Sequence, residues 1–68
     1  MKKIKVFIER YNSENEIEFN GKNIKELLNM LNLQSSRFIV VKNGEIVTED
    51  DEVNEGDYIK ILDSVSGG

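Results

Sequence analysis

With 68 residues, a net charge of -4 and neither Cys nor His, the chain is one small domain, and a core of that size contributes only about 3 to 5 kcal/mol without staples. The missing cysteines exclude a disulfide framework, a thiolate nucleophile and a zinc cluster, and the missing histidines remove the commonest general base. The charge is unevenly divided: residues 1–44 carry eight Lys/Arg against five Asp/Glu, and residues 45–68 one Lys against eight Asp/Glu. Acidic surface beside the C-terminus would repel nucleic acid and steer that end toward a basic cleft on a partner. A merely solubilising face accounts for it as well. The apolar run Val6-Phe7-Ile8 stops at Glu9 and Arg10, far short of a signal-peptide core, and no stretch is long enough to span a membrane, so the chain is expected to be cytoplasmic.

In chain order, Ile4, Val6 and Ile8 alternate with Lys3, Lys5, Phe7 and Glu9, the period of a half-buried strand. Residues 11–15 are turn formers, after which Ile17 and Phe19 alternate with Glu16, Glu18 and Asn20, so a hairpin is expected. Asn20-Gly21 turns the chain again. Asn23 followed by Glu26 is a capping-box pattern, and Ile24, Leu27, Leu28 and Leu31 form one apolar helical stripe, which predicts a helix ending near Asn32. Gln34-Ser35-Ser36 reads as loop. Phe38-Ile39-Val40-Val41 and Glu45-Ile46-Val47 flank Asn43-Gly44, the strongest short hairpin signal because both residues tolerate positive φ. Four consecutive acids, residues 49–52, precede one apolar anchor, Val53. Glu55-Gly56 then turns into a last strand, residues 57–62, with Ile59 and Ile61 inward and Tyr58, Lys60 and Leu62 on the other face.

The chain closes on Val65-Ser66-Gly67-Gly68. Two glycines have no Cβ, so this end fits a channel too narrow for other residues. Its one reactive group is the Gly68 α-carboxyl, ionised at neutral pH and inert as an electrophile until something activates it. A frayed end or a cloning remnant is the plain alternative. No catalytic set and no cofactor site are expected elsewhere. The acids at 49–52 and Glu55 lack the spacing of a calcium loop, and Gly21-Lys22 lacks the upstream glycine of a phosphate-binding loop.

The order of these elements resembles the ThiS/MoaD sulfur carriers, which are ubiquitin-like β-grasp proteins. The resemblance is carried by residues 24–31, Val41-Lys42-Asn43-Gly44-Glu45-Ile46-Val47, Glu55-Gly56-Asp57-Tyr58-Ile59-Lys60-Ile61 and Val65-Ser66-Gly67-Gly68, and covers essentially the whole chain. The Asn-Gly-Glu hairpin and the short chain are more similar to ThiS. The Val-Ser-Gly-Gly ending is as similar to MoaD, whereas the Phe-x-x-Leu-Arg segment frequent in MoaD is missing. The resemblance implies an α+β fold, a mixed sheet of four to five strands packed on one main helix, with a β-grasp body over residues 1–62 and a flexible tail over 63–68. It implies that a ThiF/MoeB-like adenylating enzyme converts the Gly68 carboxylate to an acyl-adenylate, that a sulfur donor turns this into a thiocarboxylate, and that a synthase accepts the sulfur for thiazole, molybdopterin or tRNA thiolation. Gly68 would carry the sulfur, Gly67 would let the backbone pass into the partner sites, and Val65 and Ser66 would line the tail's passage. Phe7, Tyr58 and Leu62 would form an apolar docking patch on two neighbouring strands. ATP and magnesium would belong to the partner, and a monomer in transient complexes is expected. A ubiquitin-like modifier joined through Gly68 to lysines, and a β-grasp interaction domain with an incidental tail, are the alternatives.

Overall fold

The structure is a computed structural model that describes residues 1–64. Val65, Ser66, Gly67 and Gly68 lie outside the described residues. Strands β1 (Lys2–Ile8), β2 (Ser13–Phe19), β3 (Phe38–Lys42), β4 (Glu45–Val47) and β5 (Tyr58–Asp63) form one sheet of order β2-β1-β5-β3-β4, and helix α1 (Ile24–Met30) supplies the second layer. All neighbouring strands run antiparallel except β1 and β5, which are parallel, with Val6 beside Ile59 and Ile8 beside Ile61. This is the expected α+β arrangement of a mixed sheet on one helix.

Alternation decides which side is buried. Ile4, Val6, Val40, Ile59 and Ile61 turn toward α1 and meet Ile24, Leu27 and Leu28, while Phe19, Leu33, Phe38 and Val53 close the periphery. The helix starts where the sequence predicts. Asn23 Oδ1 accepts the Glu26 N–H at 3.0 Å, and Glu26 Oε1 reaches back to the N–H of Lys22, one residue before the cap, at 2.6 Å. The next free amides of the first turn, on Ile24 and Lys25, donate to the carbonyls of Asp51 and Glu49 at 2.9 Å each. The loop carrying the acids is thereby tied along the helix start. Gly21 beside it permits no side chain, because a Cβ there would lie 2.3 Å from the Phe19 ring.

Two connections differ from the sequence reading. The first turn comes early: a 3-10 turn, Glu9–Tyr11, is closed by Asn12 in the left-handed region at φ 48°. Ser13, Glu14 and Asn15 are therefore free to pair with Ile8, Phe7 and Val6 as strand instead of forming the turn. The stretch read as loop contains a second 3-10 turn, Ser35–Arg37. The Asn43-Gly44 hairpin has the positive φ values, 52° and 88°, that its residues allow. Its Asn43 side chain also donates to Asp57 Oδ1 at 3.0 Å and accepts the Tyr58 N–H at 2.9 Å. Asp57, a buried carboxylate, takes the Asn54 N–H at 2.7 Å as well, so one side chain welds the hairpin to the turn that launches β5.

Candidate functional site at the end of β5

Strand β5 runs one residue past Leu62, and Asp63 is paired with Phe38. The early turn at Glu9–Tyr11 brings two side chains to this spot. Glu9 Oε1 accepts the Asp63 N–H at 3.0 Å, and Arg10 Nε lies 3.5 Å from Asp63 Oδ1. That oxygen is shielded from water and makes no hydrogen bond, so Arg10 serves it as an ionic neighbour only. The Arg10 guanidinium in turn lies over the Phe38 ring, 4.9 Å from its centroid. One residue on, the Ser64 N–H donates to the Arg37 carbonyl at 3.0 Å. The chain is thus held from both sides up to its last described residue. The contacts at the strand's end come from Glu9, Arg10 and the Arg37 carbonyl, whereas residues 49–52 are tied through backbone carbonyls to α1 and, through that of Glu52, to Lys42 Nζ at 2.8 Å.

The sheet face away from α1 is open. Phe7, Tyr58 and Leu62 all lie on it, half-buried, because parallel pairing sets Lys5 beside Tyr58 and Phe7 beside Lys60. Lys60 stands between the three, its ammonium 5.8 Å from the Tyr58 ring centroid. Ile39, opposite Leu62, and Val41, opposite Lys60, extend the same face, with Ile46 next to Val41. These neighbours were hidden in the unbroken apolar run of β3. Alternation from Phe38 and Val40 inward is the signal that would have found them.

Tyr58 Oη donates to Glu14 Oε1 at 2.9 Å across β1. That hydrogen bond to the carboxylate, with partial desolvation and the charge of Glu14, raises the phenol above its usual 10.0. In a Tyr11→Phe background, an absorbance titration is expected to place the Tyr58 midpoint above 10.0 and Glu14→Ala to bring it back down. The contact helps the fold below pH 10.0 and is lost as pH rises through the raised value.

Among the described residues, no group of three or more His, Cys, Asp or Glu is placed to hold a metal ion, and no helix is long and apolar enough to cross a membrane. The residues assigned to activation and passage, Gly68, Gly67, Val65 and Ser66, fall outside the described ones.

The sheet order and its single packed helix define a ubiquitin-like β-grasp. A crystal structure of the thiamine biosynthesis protein ThiS from Geobacter metallireducens shares it, with a TM-score of 0.69, 24% identity, and coverage of 97% of this chain and 99% of that one. The sulfur carrier protein TtuB of Thermus thermophilus is 35% identical over 54 residues, 78% of this chain and 83% of the relative. The ThiS family matches residues 4–68, and the chain belongs to that family of ThiS/MoaD-like sulfur carriers.

Proposed function

We propose that this protein is a cytoplasmic sulfur carrier whose β-grasp body, with Asp63 as the last residue of β5, presents the tail beyond it to other proteins' active sites. The observation that supports this most is the extent of the family match, which runs to Gly68 and so includes the Gly-Gly end. The anchoring of Asp63 by Glu9 and Arg10 adds to it, because a fixed root gives a short tail a defined direction.

The chemistry follows from the carboxylate. An oxygen of the Gly68 carboxylate attacks the α-phosphorus of ATP in a ThiF/MoeB-like enzyme, and pyrophosphate leaves. The acyl-adenylate carbonyl is then attacked by a donor at the level of sulfide; the carbon–oxygen bond to AMP breaks, and a thiocarboxylate remains. Its sulfur passes to an accepting synthase of thiamine-thiazole, molybdopterin or tRNA-thiolation biosynthesis. In this scheme the chain is a protein co-substrate rather than a catalyst, needs no cofactor of its own, and works as a monomer in transient complexes. Gly68 carries the sulfur, Gly67 threads the channel, and Val65 and Ser66 line the passage.

Phe7, Tyr58 and Leu62 dock the activating enzyme in this reading. Interface anchors cost about 1 to 2 kcal/mol or more when truncated, so Tyr58→Ala and Leu62→Ala are each expected to weaken binding about tenfold while circular dichroism shows the fold retained. The central experiment is intact mass spectrometry after incubation with the adenylating enzyme, ATP and a sulfide donor. Exchange of one C-terminal oxygen for sulfur is the expected result. Recovery, after trypsin, of lysines of cellular proteins carrying the segment from Ile61 to Gly68 in isopeptide linkage, with no sulfur exchange, would instead make the protein a modifier.

A further inference from the structure

The sheet has a vacant strand position beside its short edge strand. On the β5 side, β3 is paired from Phe38 to Lys42, but on the β4 side only from Val40 to Lys42. The ladder stops because the chain turns away after Val47: the Thr48 N–H donates to Asp51 Oδ2 at 2.8 Å, and the Asp51 N–H returns to the Thr48 carbonyl at 3.1 Å. The following carbonyls are then spent on the first turn of α1. A groove of about 390 Å³ occupies the place where β4 would have continued, floored by Ile24, Leu28 and Val40 and walled by Phe38, Ile39 and Val47.

The backbone there is one-sided. In a two-residue hairpin the closing pair, Lys42 and Glu45, exchanges hydrogen bonds, and alternation then turns Val40 and Phe38 toward the same side. The Phe38 N–H is taken by the Ser35 carbonyl, which leaves the Phe38 carbonyl directed to the gap. The apolar surface is also unusually open here. Ile39 is 41% and Ile46 77% exposed, two of the five large apolar side chains left in water among the described residues, and both line this groove.

The charge around the groove selects its occupant. Residues 45–52 hold five carboxylates and no cation, and the nearby Lys42 ammonium is already engaged by the Glu52 carbonyl. A second copy of this chain pairing along the same edge would bring two such acidic stretches together. We infer that the gap beside Phe38 and Ile39 is a strand-addition site for an extended segment of a partner protein that carries adjacent aliphatic residues flanked by lysine or arginine. One aliphatic side chain fills the groove against Ile24 and Leu28, the next packs outward on Ile39 and Ile46, and the basic flanks meet Glu49 and Asp50, which follow Val47 on the chain. The added strand lies two strand positions from β5, since β3 stands between them, so it braces a partner alongside the root of the tail. The site is independent of the chemistry at Gly68.

The test is an amide-shift titration of the isotope-labelled full chain with the synthetic peptide acetyl-Lys-Arg-Ile-Val-Ile-Lys-amide. Saturable shifts centred on Phe38, Ile39, Val47, Thr48 and Glu49 are expected. Replacing each basic residue of the peptide by glutamate, or introducing Glu49→Lys with Asp50→Lys in a protein shown to be folded, is expected to weaken binding about threefold to tenfold. Shifts centred on Phe7, Tyr58 and Leu62, equal binding of the acidic peptide, or no saturable shift at millimolar peptide would each overturn the assignment. No result depends on whether the tail is adenylated or sulfurated.

Discussion

Gly68→Trp is expected to lower acyl-adenylate formation by at least about 100-fold, the scale on which small misplacements of reacting atoms act, while affinity for the adenylating enzyme changes little. The separation follows from where the two jobs lie. The proposed docking side chains, Phe7, Tyr58 and Leu62, belong to the folded sheet, whereas in the proposed scheme the carboxylate enters the partner's site through a passage that a Cβ would obstruct. ATP–pyrophosphate exchange measures the first quantity, and competition by the variant against the unaltered protein measures the second. Unimpaired exchange with the bulky end would remove the reason for a Gly-Gly terminus and with it the carrier scheme. Removing Gly67 and Gly68 together is expected to abolish exchange, because the next carboxylate stands two residues short.

Ile59→Ala is expected to remove most of the stability of the protein and leave it marginally folded at 25 °C. Ile59 is completely buried on the central strand, beside Val6 of β1 and opposite Lys42 of β3. Truncations of this kind cost about 2 to 5 kcal/mol, and a domain of this size has only about 3 to 5 kcal/mol to lose. Nothing covalent compensates, since there is no disulfide. A urea titration followed by circular dichroism checks this, and a midpoint shift corresponding to less than about 1 kcal/mol would contradict the assignment of Ile59 to an irreplaceable core. Val40→Ala, nearer the sheet's edge, serves as the milder comparison.

What could be read in the sequence was local. The alternation of Ile4 and Val6, the stripe of Ile24, Leu27 and Leu28, the Asn23 cap and the Asn43-Gly44 turn each depend on residues within one helical turn or one hairpin, and each stands in the structure. The resemblance supplied the order in which these pieces assemble. The root of the tail was not legible, because Glu9 and Asp63 are 54 positions apart and meet only once β1 and β5 have paired. The burial of Asp57 was not legible either, because the groups that satisfy it, the Asn43 side chain and the Asn54 N–H, reach it through a turn and a hairpin that no apolar pattern encodes. The vacant strand position was invisible for a related reason: Thr48 and Asp51 end β4 through a side-chain bond that no hydrophobic pattern encodes.

The parallel pairing of β1 with β5 has a mechanical consequence. The first and last strands point the same way through the middle of the sheet, so a force applied between the two termini runs along them. Such a load is shared by the whole set of rungs at once, instead of peeling them one after another. A machine that grips the C-terminal end and pulls must therefore shear β5 out from between two neighbours, so the end proposed to be offered to partner enzymes makes a poor handle for threading the domain.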